Sequence, residues 1–188
     1  MPSYFPWKYK QTTGMTLEAP KAWPLEARKL YKPIRQLGVG GFGAVWLAEP
    51  NQQEESTKLE LDDNYVAIKL VGHAPNQKIN PFEKRSESGY FHREVEVLKE
   101  ISHPRIVKLL LKIEKAEDEK NATPEASPYC MVLAYCRGPT LEQMLDYGGA
   151  LGIPMAREVA AQLIDAVSFL HGRGVIHRDI KPDNIGKY

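Results

Sequence analysis

The apolar residues of this chain change period partway along, and that change limits its fold more than any other feature. From Tyr31 they fall in short runs, at 31–37, 44–48, 65–71, 106–113 and 129–135, rich in branched and aromatic side chains and separated by glycine or polar insertions. Such runs read as strands, and five of them suggest one antiparallel sheet. The second half turns helical. Its longest periodic segment runs from about Pro154 to His171, with Val159, Leu163, Ala166 and Leu170 on one stripe and Gly172 and Gly174 closing it. Strands first and helices afterwards make an α+β chain. Residues 1–30, with Pro6, Pro20 and Pro24 and no period, read as a loosely packed or disordered extension. The acidic stretches Asn51 to Asp63 and Glu114 to Ser127 read as solvated loops.

Composition excludes several classes of protein. Lysine plus arginine (25) nearly cancels aspartate plus glutamate (24), and a net charge of +1 gives no reason to expect a polyanion-binding surface of the kind nucleic acid prefers. Cys130 and Cys136 stand outside any CxxC or Cys/His cluster, so reduced thiols with a packing role are expected. The N-terminus lacks the continuous apolar stretch of a signal peptide and no segment reaches transmembrane length. An intracellular protein, cytoplasmic or nuclear, with no nucleic-acid or membrane partner is expected; the oligomeric state is not legible.

Leu37-Gly38-Val39-Gly40-Gly41-Phe42-Gly43-Ala44-Val45 is a glycine-rich turn between two strand-like runs. Without Cβ atoms the backbone can turn tightly and bring N–H groups against phosphate oxygens. The same spacing also suits a flexible hairpin tip or a dinucleotide-binding fold, the latter with Asp62 and Asp63 about 20 residues on. The dinucleotide motif requires a helix to open after the last glycine, whereas Ala44-Val45-Trp46-Leu47-Ala48 has strand character.

In Val66-Ala67-Ile68-Lys69 the two-residue alternation of a strand puts Ala67 and Lys69 on one face and Val66, Ile68 and Leu70 on the other. Lys69 could snorkel out at the strand end. If it stays inside, an unpaired ammonium is unfavourable by several kcal/mol, so a carboxylate or a phosphate should meet it. A carboxylate is available. Along Phe91 to Ile101, helical spacing places Phe91, Glu94, Val95, Leu98 and Ile101 on one stripe, with Glu96, Lys99 and Glu100 on a solvated face. An inward glutamate and an inward lysine suggest an ion pair.

His177-Arg178-Asp179-Ile180-Lys181-Pro182-Asp183-Asn184 emerges from the short apolar step Val175-Ile176 after the long helix. It crowds acid, base and amide side chains into one loop, a combination that few structural roles require.

Taken together, the glycine loop, Val-Ala-Ile-Lys, the inward helix glutamate and His-Arg-Asp-x-Lys-Pro-x-Asn resemble the eukaryotic-type protein kinase family over about residues 31–188. The resemblance implies a kinase N-lobe, with a five-stranded antiparallel sheet plus one helix of the family's αC type, over 31–136, and the first, mainly helical part of the C-lobe over 137–188. It implies ATP and Mg2+ as cofactors and the Ser/Thr hydroxyls of proteins as substrates, since Lys181 resembles the serine/threonine-directed pattern. By that resemblance Gly38, Gly40 and Gly43 lie over the ATP phosphates, with Leu37 beside them. Val45 and Ala67 cover the adenine, and Lys69, paired with Glu94, holds the α- and β-phosphates. Leu133 is the gatekeeper, and backbone groups of Ala134 and Cys136 meet the adenine edge. Asp179 is the catalytic base, Lys181 steadies the transferring phosphate and Asn184 binds magnesium.

No Asp-Phe-Gly or Ala-Pro-Glu triplet occurs in residues 1–188, so the chain is expected to be a C-terminally truncated domain, with the stripe Val159, Leu163 and Leu170 uncovered and little activity alone. The alternative is a non-catalytic, pseudokinase-like nucleotide-binding fragment.

Overall fold

The computed structural model describes residues 22–40, 43–51, 65–71, 81–115, 127 and 129–186. Most of both acidic loops, and the tip of the glycine turn at 41–42, lie outside the described residues. Helix α1 (Leu25–Leu30) runs directly into β1 (Tyr31–Gly40), which turns back as β2 (Gly43–Pro50). Strand β3 (Val66–Val71), helix α2 (Pro81–Glu100) and strands β4 (Leu109–Glu114) and β5 (Tyr129–Ala134) follow. The second half holds α3 (Leu141–Gly148), α4 (Ile153–His171) and a 3-10 turn at Pro182–Asn184. The strands form one antiparallel sheet in the order β1-β2-β3-β5-β4, so the α+β architecture expected from the sequence is formed. The strand expected over 106–113 starts later, at Leu109, because the Ile106 N–H closes a turn onto the His103 carbonyl at 3.1 Å.

Register assigns the two faces of the sheet. Val45 lies opposite Lys69 and Lys69 opposite Met131, while Leu47, Ala67 and Leu133 form the next such row. Directly opposed residues point the same way, so these six share one face. Helix α2 covers part of it, with Phe91 and Val95 buried against Val71 and Met131 and the Phe91 ring stacked on Tyr129 at 4.7 Å. The other face carries Ala48, Val66, Ile68, Leu70, Cys130 and Val132, all buried. Burial pushes the Cys130 thiol well above its ordinary value, which keeps it protonated and inert, in line with a packing role.

That second face is covered by the segment expected to be loosely packed, and the expectation is corrected for residues 22–30. Trp23 and Ala27 are fully buried in the same cluster as Ile68 and Val132, and the Trp23 ring meets Trp46 edge-on at 6.3 Å. Both ends of the segment are tied down. The Ser127 N–H donates to the Ala22 carbonyl at 2.8 Å, and the Ser127 hydroxyl donates to the Val71 carbonyl at 2.6 Å. At the other end Asn51 donates from its backbone N–H to the Leu30 carbonyl at 2.8 Å and from its side chain to the Lys29 carbonyl at 2.6 Å. The two bonds from Asn51 satisfy carbonyls that the end of α1 leaves without helical partners.

The helical half begins with a capping box in which the Thr140 hydroxyl accepts the Gln143 N–H and the Gln143 side chain accepts the Thr140 N–H. Helix α4 has Pro154 in its first turn, and Gly174, at φ 72°, reverses the chain after it. Its stripe is formed as expected but is more covered than expected. Ala166 and Leu170 are buried and Val159 and Leu163 half-buried, while the exposed apolar side chains are Ile153 and Ile164 on α4 and Ile176 and Ile180 beyond it. Among the described residues no helix is long and apolar enough to cross a membrane.

Candidate active site

Two clusters carry the chemistry singled out in the sequence. The first is on the sheet. Lys69 Nζ lies 2.7 Å from Glu94 Oε1 and 2.8 Å from Oε2, so the ammonium bridges both carboxylate oxygens. The strand places Lys69 on the face that α2 covers, and the helical stripe beginning at Phe91 brings Glu94 round to it. The pair is not deeply buried, with side chains 25% and 39% exposed. At that exposure an ion pair contributes about 0–1 kcal/mol to stability, so its consequence is geometric: it fixes where the ammonium sits.

Around this pair stand the residues assigned to the nucleotide. Val45, Ala67 and Leu133 share the face of Lys69, and Leu37 is half-buried on β1. Gly38 pairs with Val45, and a Cβ built on it would meet nothing within 4 Å, so the space there is open. Gly40 pairs with Gly43 where the hairpin closes. Gly43 is required for a different reason: its φ is +123° and a Cβ there would lie 2.0 Å from the Leu70 carbonyl oxygen. Gly43 is thus seated on β3 beside Leu70, the residue after Lys69. The Ala134 N–H is donated to the Lys108 carbonyl at 2.9 Å, which ties the end of β5 to the segment before β4. Cys136 is half-buried, burial raises its thiol, and it abuts Gly186.

The second cluster follows α4. Asn184 Nδ2 donates to both the Asp179 carbonyl and Asp179 Oδ2, each at 2.9 Å, and Lys181 Nζ is 3.3 Å from Oδ2. The hydrogen bond from Asn184, followed by that from Lys181, holds the exposed Asp179 carboxyl below its ordinary value. The loop is built for this arrangement. Arg178 adopts φ 67°, unusual for a non-glycine residue, and the Asp179 N–H donates to His177 Nδ1 at 3.3 Å. The loop's far end is stitched to the start of α3 by the Leu141 N–H, which donates to the Ile185 carbonyl at 2.7 Å, and by a bridge between Thr140 and Gly186.

Among the described residues no group of three or more histidine, cysteine, aspartate or glutamate side chains could hold a metal by itself. With Nδ2 of Asn184 committed to Asp179, its amide oxygen is the atom able to ligate a hard cation, and such a cation needs further oxygens, as a phosphate supplies. The donor set therefore fits magnesium carried with a nucleotide. Sequence reasoning missed Trp23, Asn51 and Ser127, which hold the sheet from behind, and His103, Asp165 and Phe169, which touch between the α2–β4 turn and α4. Adjacent His103 and Pro104, directly after a helix, were the only local signal.

Comparison with known proteins defines the class. The family described as "Protein kinase domain" matches residues 31–185, and the chain belongs to that family. It is 41% identical over 92% of its length to serine/threonine-protein kinase ppk34 of Schizosaccharomyces pombe, covering 53% of that protein. Similarity extends to CBL-interacting serine/threonine-protein kinase 16 of Arabidopsis thaliana, 32% identical over 82% of this chain and 28% of the relative, and to serine/threonine-protein kinase GRIK1 of the same plant, 32% over 80% and 34%. The chain thus spans about half or less of the length of these curated relatives. Membership of the family implies use of ATP and Mg2+ and a protein substrate in general terms.

Proposed function

We propose that this chain carries the nucleotide-binding lobe and catalytic loop of a protein kinase that transfers the γ-phosphoryl group of ATP to Ser/Thr hydroxyls. On this reading it divides into an N-terminal segment to residue 30, an N-lobe with hinge over 31–136 and the first part of the C-lobe over 137–188. The observation that carries the proposal is the Lys69–Glu94 pair, formed on the same sheet face as Val45, Ala67 and Leu133 and beside the glycine turn. Lys69 then binds the α- and β-phosphates while Glu94 holds it in place, and the backbone at Gly38, Gly40 and Gly43 cradles the phosphate oxygens. Val45 and Ala67 cover the adenine, with Leu37 at the mouth and Leu133 behind, and the Ala134 carbonyl and Cys136 backbone meet the base's edge. Asp179, ionised at neutral pH because Asn184 and Lys181 favour its charged form, accepts the substrate hydroxyl's proton and orients its oxygen. Lys181 neutralises charge on the transferring group and Asn184 offers its amide oxygen to the cation. A magnesium ion, if held at Asn184, would supply positive charge against the phosphates.

Two measurements test the reading. Saturating Mg-ATP, at about 100 times its dissociation constant, is expected to stabilise the protein by roughly 2.7 kcal/mol, read as a raised melting temperature. Labelled γ-phosphate should also appear on serine or threonine of a protein substrate. A folded full-length protein whose melting curve ignores millimolar Mg-ATP refutes nucleotide binding, and binding without transfer identifies a non-catalytic scaffold instead. Glu94→Gln should lower turnover by about tenfold to a hundredfold, because Lys69 loses its fixed position, while changing stability by no more than about 1 kcal/mol. Equal turnover in the variant removes the positioning role from the pair.

A further inference from the structure

We propose that Gly186 is a specificity-determining position that leaves the nucleotide base without a side chain against it on the catalytic-loop side, so that the cleft selects its ligand by the phosphate chain more than by the base; this rests on the nucleotide-binding reading above. Three observations locate the missing side chain. Ile185 is extended, at φ −112° and ψ 104°, so the side-chain positions of residues 184 and 186 fall on the same side of the chain. Asn184 turns its amide to Asp179 on that side, and position 186 opens beside it. The stretch is also held against the segment that leaves the sheet, because the Leu141 N–H donates to the Ile185 carbonyl at 2.7 Å and Gly186 bridges to Thr140. Finally, a Cβ built on Gly186 would lie 3.4 Å from Cys136 Cβ and 4.0 Å from its sulfur, with no other contact within 4 Å among the described residues. Position 186 therefore borders Cys136, whose backbone meets the edge of the base in the reading above.

The backbone does not demand glycine there. Among the described residues positive φ is confined to Gly43, Gly149, Gly174 and Arg178, so residue 186 has a conformation open to any side chain. Space does not demand it either, since the distances to Cys136 are those of ordinary contact and Gly186 is exposed. The absent side chain is thus a property of the cleft. On the opposite side Val45 and Ala67 share one face of the sheet and cover the base. A planar base gains affinity from apolar surface laid on both of its faces, and here one face lacks that cover. Lys69 and the glycine backbone, which act on the phosphates, then supply the larger share of the affinity.

The test measures binding to the full-length protein with adenosine, ATP and inorganic tripolyphosphate as probes. Gly186→Leu is expected to tighten adenosine and ATP alike by about three- to tenfold, through the apolar area it lays on the base, and to leave tripolyphosphate within about twofold. Gly186→Ala adds only the Cβ beside Cys136 and should give a smaller gain of the same sign; it carries the test if the leucine variant does not fold. Adenosine bound no more tightly by the variants than by a parent that binds ATP overturns the role of Gly186 and leaves the nucleotide-binding reading standing. Tripolyphosphate tightened as much as adenosine also overturns it, because the substitution then acts on the whole protein rather than on the base. A parent that binds neither ATP nor tripolyphosphate rejects the nucleotide-binding reading and the role of Gly186 with it. A further readout needs no nucleotide. Alkylation of the half-buried Cys136 by iodoacetamide, read by peptide mass, should be slowed by about fivefold or more in Gly186→Leu as the new side chain closes over the sulfur. An unchanged rate overturns the placement of residue 186 against Cys136.

Discussion

Asp179→Asn is expected to abolish most phosphoryl transfer, lowering kcat by about a hundredfold to ten-thousandfold, the range associated with loss of a general base. The substitution is close to isosteric, and it removes the carboxylate that accepts a hydrogen bond from Asn184 and faces Lys181. Because Asp179 is exposed and contributes little packing, the melting temperature should stay near that of the parent. Nucleotide affinity should also hold, since Lys69, Glu94 and the glycine turn are untouched. Steady-state rates with labelled ATP, measured beside a nucleotide-dependent melting shift, separate the two effects. Retention of more than about a tenth of the parent kcat would remove Asp179 from the role of base.

The largest effect on stability is expected at Trp23. Trp23→Ala should destabilise the protein by about 3–5 kcal/mol, the loss typical of deleting a buried indole. Trp23 has no exposed surface, lies among Ile68, Cys130 and Val132, and is held edge-on by Trp46. Its backbone carbonyl also accepts from Arg28 Nε at 2.9 Å. Among the described residues its indole Nε1–H is buried without a hydrogen-bond partner. A donor left so is unfavourable by about 1–3 kcal/mol, and Trp23→Phe removes it, so that variant should be much less destabilised than its smaller volume suggests. A chain started at Tyr31, where the family match begins, exposes Ile68 and Val132 and should be recovered mostly as aggregate. Denaturant melts of the three variants decide the matter, and equal stability of the Tyr31-start chain and the parent would refute the covering role of residues 22–30.

Much of the candidate site was legible before any coordinates. Lys69 and Glu94 could be paired because each lies in a regular element whose period tells which way it points. Asp179, Lys181 and Asn184 lie within six residues of one another, so the local backbone alone decides that they meet. Gly43 was identified as a residue that must lack a Cβ, although the close neighbour proved to be the Leu70 carbonyl. On α4 periodicity located the covered row, with Ala166 and Leu170 buried, Val159 and Leu163 half-buried and Ile164 exposed, but the expectation that this row lies open fails at Leu170, because cover depends on what packs there.

The residues that escaped attention share one physical property: they act through contacts between segments distant in sequence. Trp23 meets Trp46 and covers Ile68, Asn51 reaches back to Leu30, Ser127 joins Ala22 to Val71, and His103 meets Asp165 and Phe169. The sequence alone determined the elements, the faces on which their chemistry lies and the loop that gathers Asp179, Lys181 and Asn184, because backbone periodicity and short-range sterics depend on near neighbours. The tertiary structure decided what covers the far face of the sheet and how α2 meets α4, because those contacts arise from burying complementary surfaces between segments whose separation leaves no periodic trace.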